Sequence, residues 1–306
     1  MEGRADVTRG APGVVSILLA CAAGLQVSVA APRASGPAPP QFRSGTETVA
    51  VYATVSDAQG RLVPDLTRED FLVYDDGRAV EISLFSNDRQ PITVAIMLDM
   101  SGSMLPRFLE VRESTLWFVN ALLPDDRASI GSFGEEVAVS PLLTGDKKVL
   151  ARVVNEELWP VGGTPLWNAA DAAMTALVGQ AGRRVVLMLT DGADSCRLPR
   201  CRRFGDIERR AKREEFMFYA IAMDARGLGT QIVQLTRQTG GGQFSLTPGD
   251  DLTDTFARVA DELRHQYLIG FSPAVLDNRE HRLDVRVAHA GMEARARTSY
   301  HATRTR

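Results

Sequence analysis

Four continuous apolar runs, interspersed with segments of helical periodicity, constrain the fold of this chain more than any other feature. The runs are Thr93 to Leu98, Ala128 to Phe133, Val185 to Thr190 and Phe216 to Met223. Strands that are apolar at every position are typical of parallel sheets covered by helices on both faces. The segments with a helical pattern are 105–122, 147–156, 165–180, 204–215, 228–239 and 251–264. This alternation predicts an α/β domain with a doubly wound, mostly parallel, Rossmann-like sheet.

The segments on either side of this region have the pattern of antiparallel β structure. Three strand-like runs precede it and three follow it, and turns rich in Asp and Gly separate the first three. The runs are 48–55, 71–74, 80–82, 267–271, 282–287 and 294–300. Neither flank has enough strands for a robust core of its own. We therefore predict that both flanks pair into one β-sandwich-like unit, with the α/β domain inserted in it.

The N-terminus has the composition of a targeting segment. Arg4 and Arg9 precede the apolar run Val14 to Ala23, and small residues follow up to Ala30. This pattern predicts a signal peptide over residues 1–30. An uncleaved membrane anchor, a disordered tail and lipoprotein processing at Cys21 are the alternatives. We expect an exported protein, periplasmic or extracellular, that is attached to a membrane only through its N-terminus, if at all.

A spacer and three structured segments follow the predicted signal peptide. Residues 31–46 are rich in Pro, Ala and Gly, as flexible spacers are. We predict a β-rich segment over 47–90, the α/β domain over 91–265 and a second β-rich segment over 266–306.

Oxygen-bearing side chains follow two of the apolar runs. Asp99 directly follows the first run and leads into Ser101 and Ser103, and Asp191 directly follows the third run. Thr164 offers another hydroxyl at the start of a predicted helix. Ligands of an open α/β sheet bind beyond the carboxyl ends of its strands, where the direction of winding reverses. We expect the two carboxylates to meet there in one crevice.

These five side chains have the chemistry of a site for a hard cation. Mg²⁺, Mn²⁺ or Ca²⁺ suit oxygen ligands better than zinc or copper, which prefer the imidazole and thiolate groups missing nearby in the sequence. Each residue also has a simpler interpretation when it is taken alone. Ser101, Ser103 and Thr164 are suitable helix caps, and Asp191 before Gly192 is a suitable turn residue.

The same residues resemble the motif of a known family. Asp99-Met100-Ser101-Gly102-Ser103 is similar to the D-x-S-x-S signature of von Willebrand factor type A domains. The metal ion-dependent adhesion site of that family also takes a downstream Thr and Asp, which Thr164 and Asp191 match in order. The resemblance covers roughly residues 91–265. It implies that Asp99, Ser101 and Ser103 bind the metal directly, that Thr164 binds directly or through water, and that Asp191 binds mostly through water.

The flanks are similar to those of the bacterial, acidobacterial-type VWFA-related proteins. The similarity rests on Asp65 to Phe71 before the domain and on Tyr267 to Phe271 after it.

Two cysteines follow the second predicted aspartate of the site. Cys196 and Cys201 enclose four residues, and Pro199 favours a turn between them. A zinc site needs about four ligands, and all histidines lie at residue 265 or beyond, where we interpret them as exposed strand or loop residues. A redox pair is more often C-x-x-C. In an oxidising compartment we predict a disulfide.

Composition and motifs limit the functional classes. The formal net charge of -3 argues against nucleic-acid binding. The sequence lacks the phosphate-binding loop G-x-x-x-x-G-K-[ST], the metalloprotease motif H-E-x-x-H and the nucleophile elbow G-x-S-x-G. We therefore expect no enzyme, but a module that binds an extracytoplasmic protein through the cation and a Glu or Asp of that partner. A metal-dependent, phosphatase-like hydrolase and a structural envelope protein with a merely stabilising cation are the alternatives.

A basic segment lies close to this motif in the sequence. Residues 197–213 hold eight Lys and Arg against Asp206 and Glu208. Such a cluster is either a solvated helix face or a positive rim that attracts an acidic partner.

Overall fold

The computed structural model describes residues 48–158, 162–223, 227–247 and 249–303. The predicted signal peptide, the predicted spacer and Cys21 lie outside these residues. The β-strands are β1 (Val49–Asp57), β2 (Phe71–Asp75), β3 (Arg78–Val80), β4 (Ile82–Ser86), β5 (Thr93–Asp99), β6 (Arg127–Phe133), β7 (Val137–Val139), β8 (Arg184–Thr190), β9 (Phe216–Ala222), β10 (Gln243–Ser245), β11 (Tyr267–Phe271), β12 (Glu280–Val287), β13 (Met292–Arg295) and β14 (Ser299–His301). The α-helices are α1 (Phe108–Ala121), α2 (Lys147–Glu156), α3 (Leu166–Ala176), α4 (Phe204–Arg213), α5 (Thr230–Thr239) and α6 (Leu252–Arg264).

The central sheet has six strands in the order β10-β9-β8-β5-β6-β7. All neighbouring strands are parallel except the edge strand β7, which runs antiparallel to β6. The four apolar runs of the sequence form β5, β6, β8 and β9, because strands buried on both faces need apolar side chains at every position. The short edge strands β7 and β10 have no comparable apolar run, so the sequence pattern missed them.

Helices cover both faces of this sheet. On one face, Val94 and Ile96 of β5 pack with α1, α2 and α6 in one core. On the other face, Ala95 and Met97 pack with α3, α4 and α5 in a second core. Fully burying a side chain of this kind contributes about 1.5–3 kcal/mol. The two cores confirm the predicted doubly wound α/β fold.

Strands from both flanks form two further sheets of four strands. Their orders are β13-β1-β11-β4 and β14-β12-β2-β3, and all their pairs are antiparallel. Aromatic side chains join the sheets in one core, with ring centroids of Phe71 and Tyr267 4.9 Å apart and those of Phe271 and Tyr300 5.4 Å apart. We call this unit the β-sandwich. The flanks therefore pair as predicted, while the domain boundaries at 91 and 265 stay a prediction.

Two strand predictions in the flanks are wrong. The single strand predicted at 294–300 is two strands, because β13 pairs with β1 whereas β14 pairs with β12 in the other sheet. The run at 80–82 is likewise divided between β3 and β4, which belong to different sheets. In each case the chain crosses between the sheets, and an alternating pattern does not reveal such a crossing. No helix among the described residues combines the length and apolar character that a membrane span requires.

Candidate metal centre

Asp99 lies at the carboxyl end of β5, in the centre of the sheet. Its side chain is completely buried. One carboxylate oxygen, Oδ1, accepts a hydrogen bond from the backbone N–H of Ser101 at 2.9 Å. The other, Oδ2, accepts one from the hydroxyl of Thr190 at 2.7 Å. Because β5 and β8 are paired with Leu98 opposite Leu189, Thr190 reaches Asp99 from the end of the neighbouring strand.

The loop after β5 brings two hydroxyl groups together. Ser101 Oγ and Ser103 Oγ lie 3.1 Å apart. A short 3₁₀ helix, Gly102–Arg107, begins here, but the side chain of Ser101 makes no capping hydrogen bond to it. The capping interpretation of Ser101 is therefore wrong, and its hydroxyl faces that of Ser103 instead.

Thr164 lies on a segment that is hydrogen-bonded to both other parts of the site. The backbone N–H of Gly102 donates to the carbonyl of Gly162 at 3.2 Å, which joins this segment to the loop after β5. Thr164 N–H donates to Ser195 Oγ at 3.1 Å, and Ser195 N–H donates to the carbonyl of Thr164 at 2.9 Å. Among the described residues, none is hydrogen-bonded to the hydroxyl of the buried Thr164. Helix α3 begins two residues later, after Pro165.

Asp191 follows Thr190 at the end of β8 and is half-buried. Burial raises the pKa of the Asp99 carboxyl, the hydrogen bonds from Thr190 and Ser101 lower it, and the nearby charge of Asp191 raises it. The net effect is a pKa of Asp99 above the ordinary value of an aspartate, and burial is the main cause. We call Asp99, Ser101, Ser103, Thr164 and Asp191 the strand-end site.

The strand-end site fits a divalent cation. Asp99 is buried, and it forms no ion pair with a Lys, Arg or His of the described chain. An ionised carboxylate that is removed from water without a cationic partner is strongly unfavourable. A cation between Asp99 and Asp191 would compensate both charges, and the hydroxyls of Ser101 and Ser103 would supply further oxygen ligands.

Three residues that the sequence analysis did not single out support this arrangement. Thr190 orients Asp99, and Ser195 holds the backbone of Thr164. Asp194 accepts a hydrogen bond from the backbone N–H of Trp167 at 3.4 Å, at the start of α3. Burial raises the pKa of Asp194, and this hydrogen bond opposes the effect. Their positions beside Asp191 were visible in the sequence, but their partners lie up to 91 residues away.

The predicted disulfide is present in the loop after Asp191. Cys196 and Cys201 are bonded, with their Cα atoms 5.9 Å apart. The loop between them carries Arg197, which lies beside Gly163. In the basic segment, Arg202 and Arg210 both pair with Asp171, at 2.8 and 2.6 Å, so part of the positive charge is already neutralised.

A second group of acidic and imidazole side chains lies in the β-sandwich. His281 is buried, so the interpretation of the histidines as exposed residues is wrong for it. Its ligand atom and those of Asp75 and Asp76 lie within 4.8 Å of one another. His281 Nδ1 is 2.9 Å from Asp75 Oδ1, and Nε2 is 3.1 Å from Asp277 Oδ1. An imidazole with a carboxylate at both nitrogens is a protonated hydrogen-bond donor rather than a metal ligand.

Comparisons with known proteins agree with this fold. Residues 94–193 match the family model of the von Willebrand factor type A domain. The solved structure of a von Willebrand factor type A protein from Catenulispora acidiphila is similar at a TM-score of 0.50 and 14% identity, over 85% of this chain and 74% of that chain. At this identity the similarity shows the fold alone.

Two other solved structures are similar over smaller parts of the chain. Proximal thread matrix protein 1 from the mussel byssus, with zinc in its metal ion-dependent adhesion motif, has a TM-score of 0.48 at 14% identity, over 60% of this chain and 48% of that chain. This chain thus spans about half of that protein. The vWF domain of the type V pili tip protein Mfa5 from Porphyromonas gingivalis has a TM-score of 0.45 at 14% identity, over 56% and 95%. No functionally curated protein is significantly similar in sequence.

Proposed function

We propose that this chain, which contains a von Willebrand factor type A domain, binds a divalent cation at the strand-end site and uses it to hold an acidic side chain of an extracytoplasmic partner protein. The observation that carries the proposal is the buried Asp99 carboxylate, which has no basic partner among the described residues and is followed on the same loop by the paired hydroxyls of Ser101 and Ser103.

The resemblance to the von Willebrand factor type A family implies which residues bind the cation directly. Asp99, Ser101 and Ser103 would be the direct ligands, and the hydrogen bonds to both carboxylate oxygens of Asp99 hold that side chain in place. Thr164 would bind directly or through water, and Asp191 mostly through water, from two other segments. Mg²⁺ is the preferred ion for this oxygen set, and Mn²⁺ or Ca²⁺ also suit it.

The partner ligand follows from the charge of the site. With two carboxylates and three neutral hydroxyls as ligands, a divalent cation keeps a coordination position that a Glu or Asp of another protein can take from water. Arg197, Arg200 and Arg203 are exposed on the neighbouring loop and steer an acidic partner, mainly by increasing the association rate. Arg202, which was grouped with them in the sequence, contributes less because it pairs with Asp171.

Capture of partners from the native envelope fraction tests the proposal. We expect Mg²⁺-loaded protein to retain a partner that is lost in EDTA and lost with Asp191→Asn, whereas Asp125→Asn, an exposed acidic residue away from the site, retains it. Full retention in EDTA would contradict the proposal and favour a structural cation. Cation-dependent turnover of a generic phosphoester that Asp191→Asn abolishes would instead favour a hydrolase.

A further inference from the structure

A partly enclosed cavity lies at the opposite end of the central sheet from the strand-end site. Its volume is about 230 Å³. Arg183 and Arg184, at the amino end of β8, and Phe216, at the amino end of β9, line one side. Ala50 and Tyr52 of β1 line the other side, so the cavity lies between the α/β domain and the β-sandwich.

Arg183 is the unusual residue of this cavity. Its side chain is buried, with 5% of the residue exposed. Nη1 donates to Gln266 Oε1 at 2.6 Å, and Nη2 makes a long hydrogen bond to the carbonyl of Pro91 at 3.4 Å. Nε is buried and has no hydrogen-bond partner among the described residues. No carboxylate of the described chain forms an ion pair with this guanidinium, although a buried charge without a counter-ion is costly. The charges of Asp126 and Glu262 act on it from beyond ion-pair distance, and these two carboxylates pair with Arg264 and Arg295 instead.

The other charges around the cavity also favour an anion. Arg184, Lys212 and Arg297 line it together with a single acid, Glu215. Arg297 pairs with Glu215 at 2.5 Å, and Lys212 pairs with Glu280 at 3.4 Å. These pairs neutralise Arg297 and Lys212, which leaves Arg183 and Arg184 without a carboxylate partner among the described residues, and of these two only Arg183 is buried.

The remaining walls are apolar. Phe216, Met217 and Ala211 are buried and line the cavity, and the guanidinium carbon of Arg183 lies 5.4 Å from the ring centroid of Tyr52. Pockets for drug-sized ligands measure about 300–1,000 Å³, so this cavity suits a smaller molecule. A guanidinium prefers planar oxyanions, which it binds through two N–H groups.

From these features we propose that the cavity is a binding site for a small carboxylate with an apolar body, whose carboxylate pairs with Arg183. Inorganic phosphate would form an ion pair with Arg183 but would make no apolar contacts with the walls. A neutral molecule of the same shape would contact the walls but would leave Arg183 without a counter-ion.

Calorimetric titration of the whole chain with benzoate, benzamide and inorganic phosphate tests this site. The titrations are done in EDTA, so that no carboxylate can bind through a cation at the strand-end site. We expect benzoate to bind at one site and at least about tenfold more tightly than benzamide or phosphate, because a charge-assisted hydrogen bond is lost with benzamide. Equal binding of benzoate and benzamide, or tighter binding of phosphate, would overturn the proposal.

Two substitutions locate the site without removing a buried residue. Ala50 is exposed at the edge of the cavity, so Ala50→Glu and its neutral control Ala50→Gln are both compatible with the fold. Ala50→Glu supplies a competing carboxylate, and we expect at least about tenfold weaker benzoate binding than in Ala50→Gln. Identical benzoate binding by the two variants would place the ligand elsewhere and refute the site. Arg183→Lys keeps the charge but removes the planar guanidinium, and we expect it to bind benzoate more weakly than the wild type does, with its fold checked by circular dichroism.

Discussion

Single hydrogen bonds hold the side chains of the strand-end site in position. The hydroxyl of Thr190 donates to Asp99 Oδ2 and leaves the carboxylate little freedom to rotate. Partners of this kind orient metal ligands, and their loss typically weakens metal binding by about 10–100-fold. Thr190 is therefore a positioning residue for the proposed cation.

We predict that Thr190→Val weakens Mg²⁺ binding by at least about tenfold without unfolding the domain, because valine has the shape of threonine but no hydroxyl. Calorimetric titration with Mg²⁺ measures the change. The control is Thr175→Val on α3, whose hydroxyl donates to the carbonyl of Asp171 within its own helix. Unchanged affinity in Thr190→Val would show that Thr190 does not position Asp99 for a metal.

The buried His281 of the β-sandwich makes folding stability depend on pH. Burial alone lowers the pKa of His281, but the hydrogen bonds to Asp75 and Asp277 and the charges of Asp75 and Asp76 raise it above the usual 6.5. Tyr300 also faces this ring, with its hydroxyl 3.3 Å from Nδ1. A raised pKa in the folded state means that the protonated imidazole stabilises the fold.

This contribution is complete below pH of about 6.5 and is lost as pH rises through the raised pKa of the folded state. We expect the free energy of unfolding, from urea titrations, to fall over that range in the wild type and to fall less in His281→Gln. The control is His265→Gln. His265 directly follows α6, and its side chain contacts Asp261 of that helix. A pH dependence that survives unchanged in His281→Gln would contradict this role.

At the scale of elements, the segment before α3 is held by close backbone contact. Gly162 has a φ of +96°, and a Cβ there would lie 2.3 Å from the backbone nitrogen of Glu135. Gly179 has a comparable φ of +79°, but nothing lies within 4 Å of a Cβ there. Comparing an alanine substitution at each glycine therefore separates two energetic costs: that of the left-handed backbone conformation, which both positions share, and that of the steric contact, which only Gly162 has.

We predict that Gly179→Ala lowers the free energy of unfolding by about 1 kcal/mol, since only the left-handed conformation is penalised. Gly162→Ala should lower it by about 2–4 kcal/mol, because the contact with Glu135 is added. Gly162→Ala should also weaken Mg²⁺ binding, because the same segment carries Thr164. Equal destabilisation by the two substitutions, measured by urea unfolding, would show that this segment can move at little cost.

The sequence allowed the elements and the strand-end site to be predicted to different extents. The buried strands were predictable because apolar residues fill every position. Asp99, Ser101 and Ser103 were recognisable as a candidate site because they form the D-x-S-x-S motif within five residues, and their role as metal ligands stays a prediction. The role of Thr190 could not be predicted from the sequence, because it depends on the register between β5 and β8. The burial of His281 was hidden as well, because Asp75 lies 206 residues away in the chain.

At the scale of the whole molecule, the β-sandwich depends on both ends of the described chain. The hydroxyl of Tyr267 in β11 donates to the carbonyl of Val63 at 2.5 Å and accepts from the N–H of Leu66 at 2.9 Å. β1 pairs with β11 and β13, β2 pairs with β12, and β4 pairs with β11, so three strands of the C-terminal flank support three of the N-terminal flank.

Removal of residues 266–306 should therefore expose the backbone of residues 48–86, which lose most of their strand partners. Amide hydrogen exchange measures this, and we expect loss of protection in β1 and β2 while β5 and β8 keep theirs. Unchanged protection of β1 would mean that the N-terminal flank is stable without its partner strands.

We propose that five side chains on three separate segments bind one cation. Calorimetric titration of Mg²⁺ into the wild type, Asp99→Ala and the exposed control Asp125→Ala measures that binding. We predict one Mg²⁺ site in the wild type and in Asp125→Ala, and loss or strong weakening of that site in Asp99→Ala, because this substitution removes a proposed charged direct ligand. Equal Mg²⁺ affinity in all three proteins, with Asp99→Ala folded as judged by circular dichroism, would contradict it.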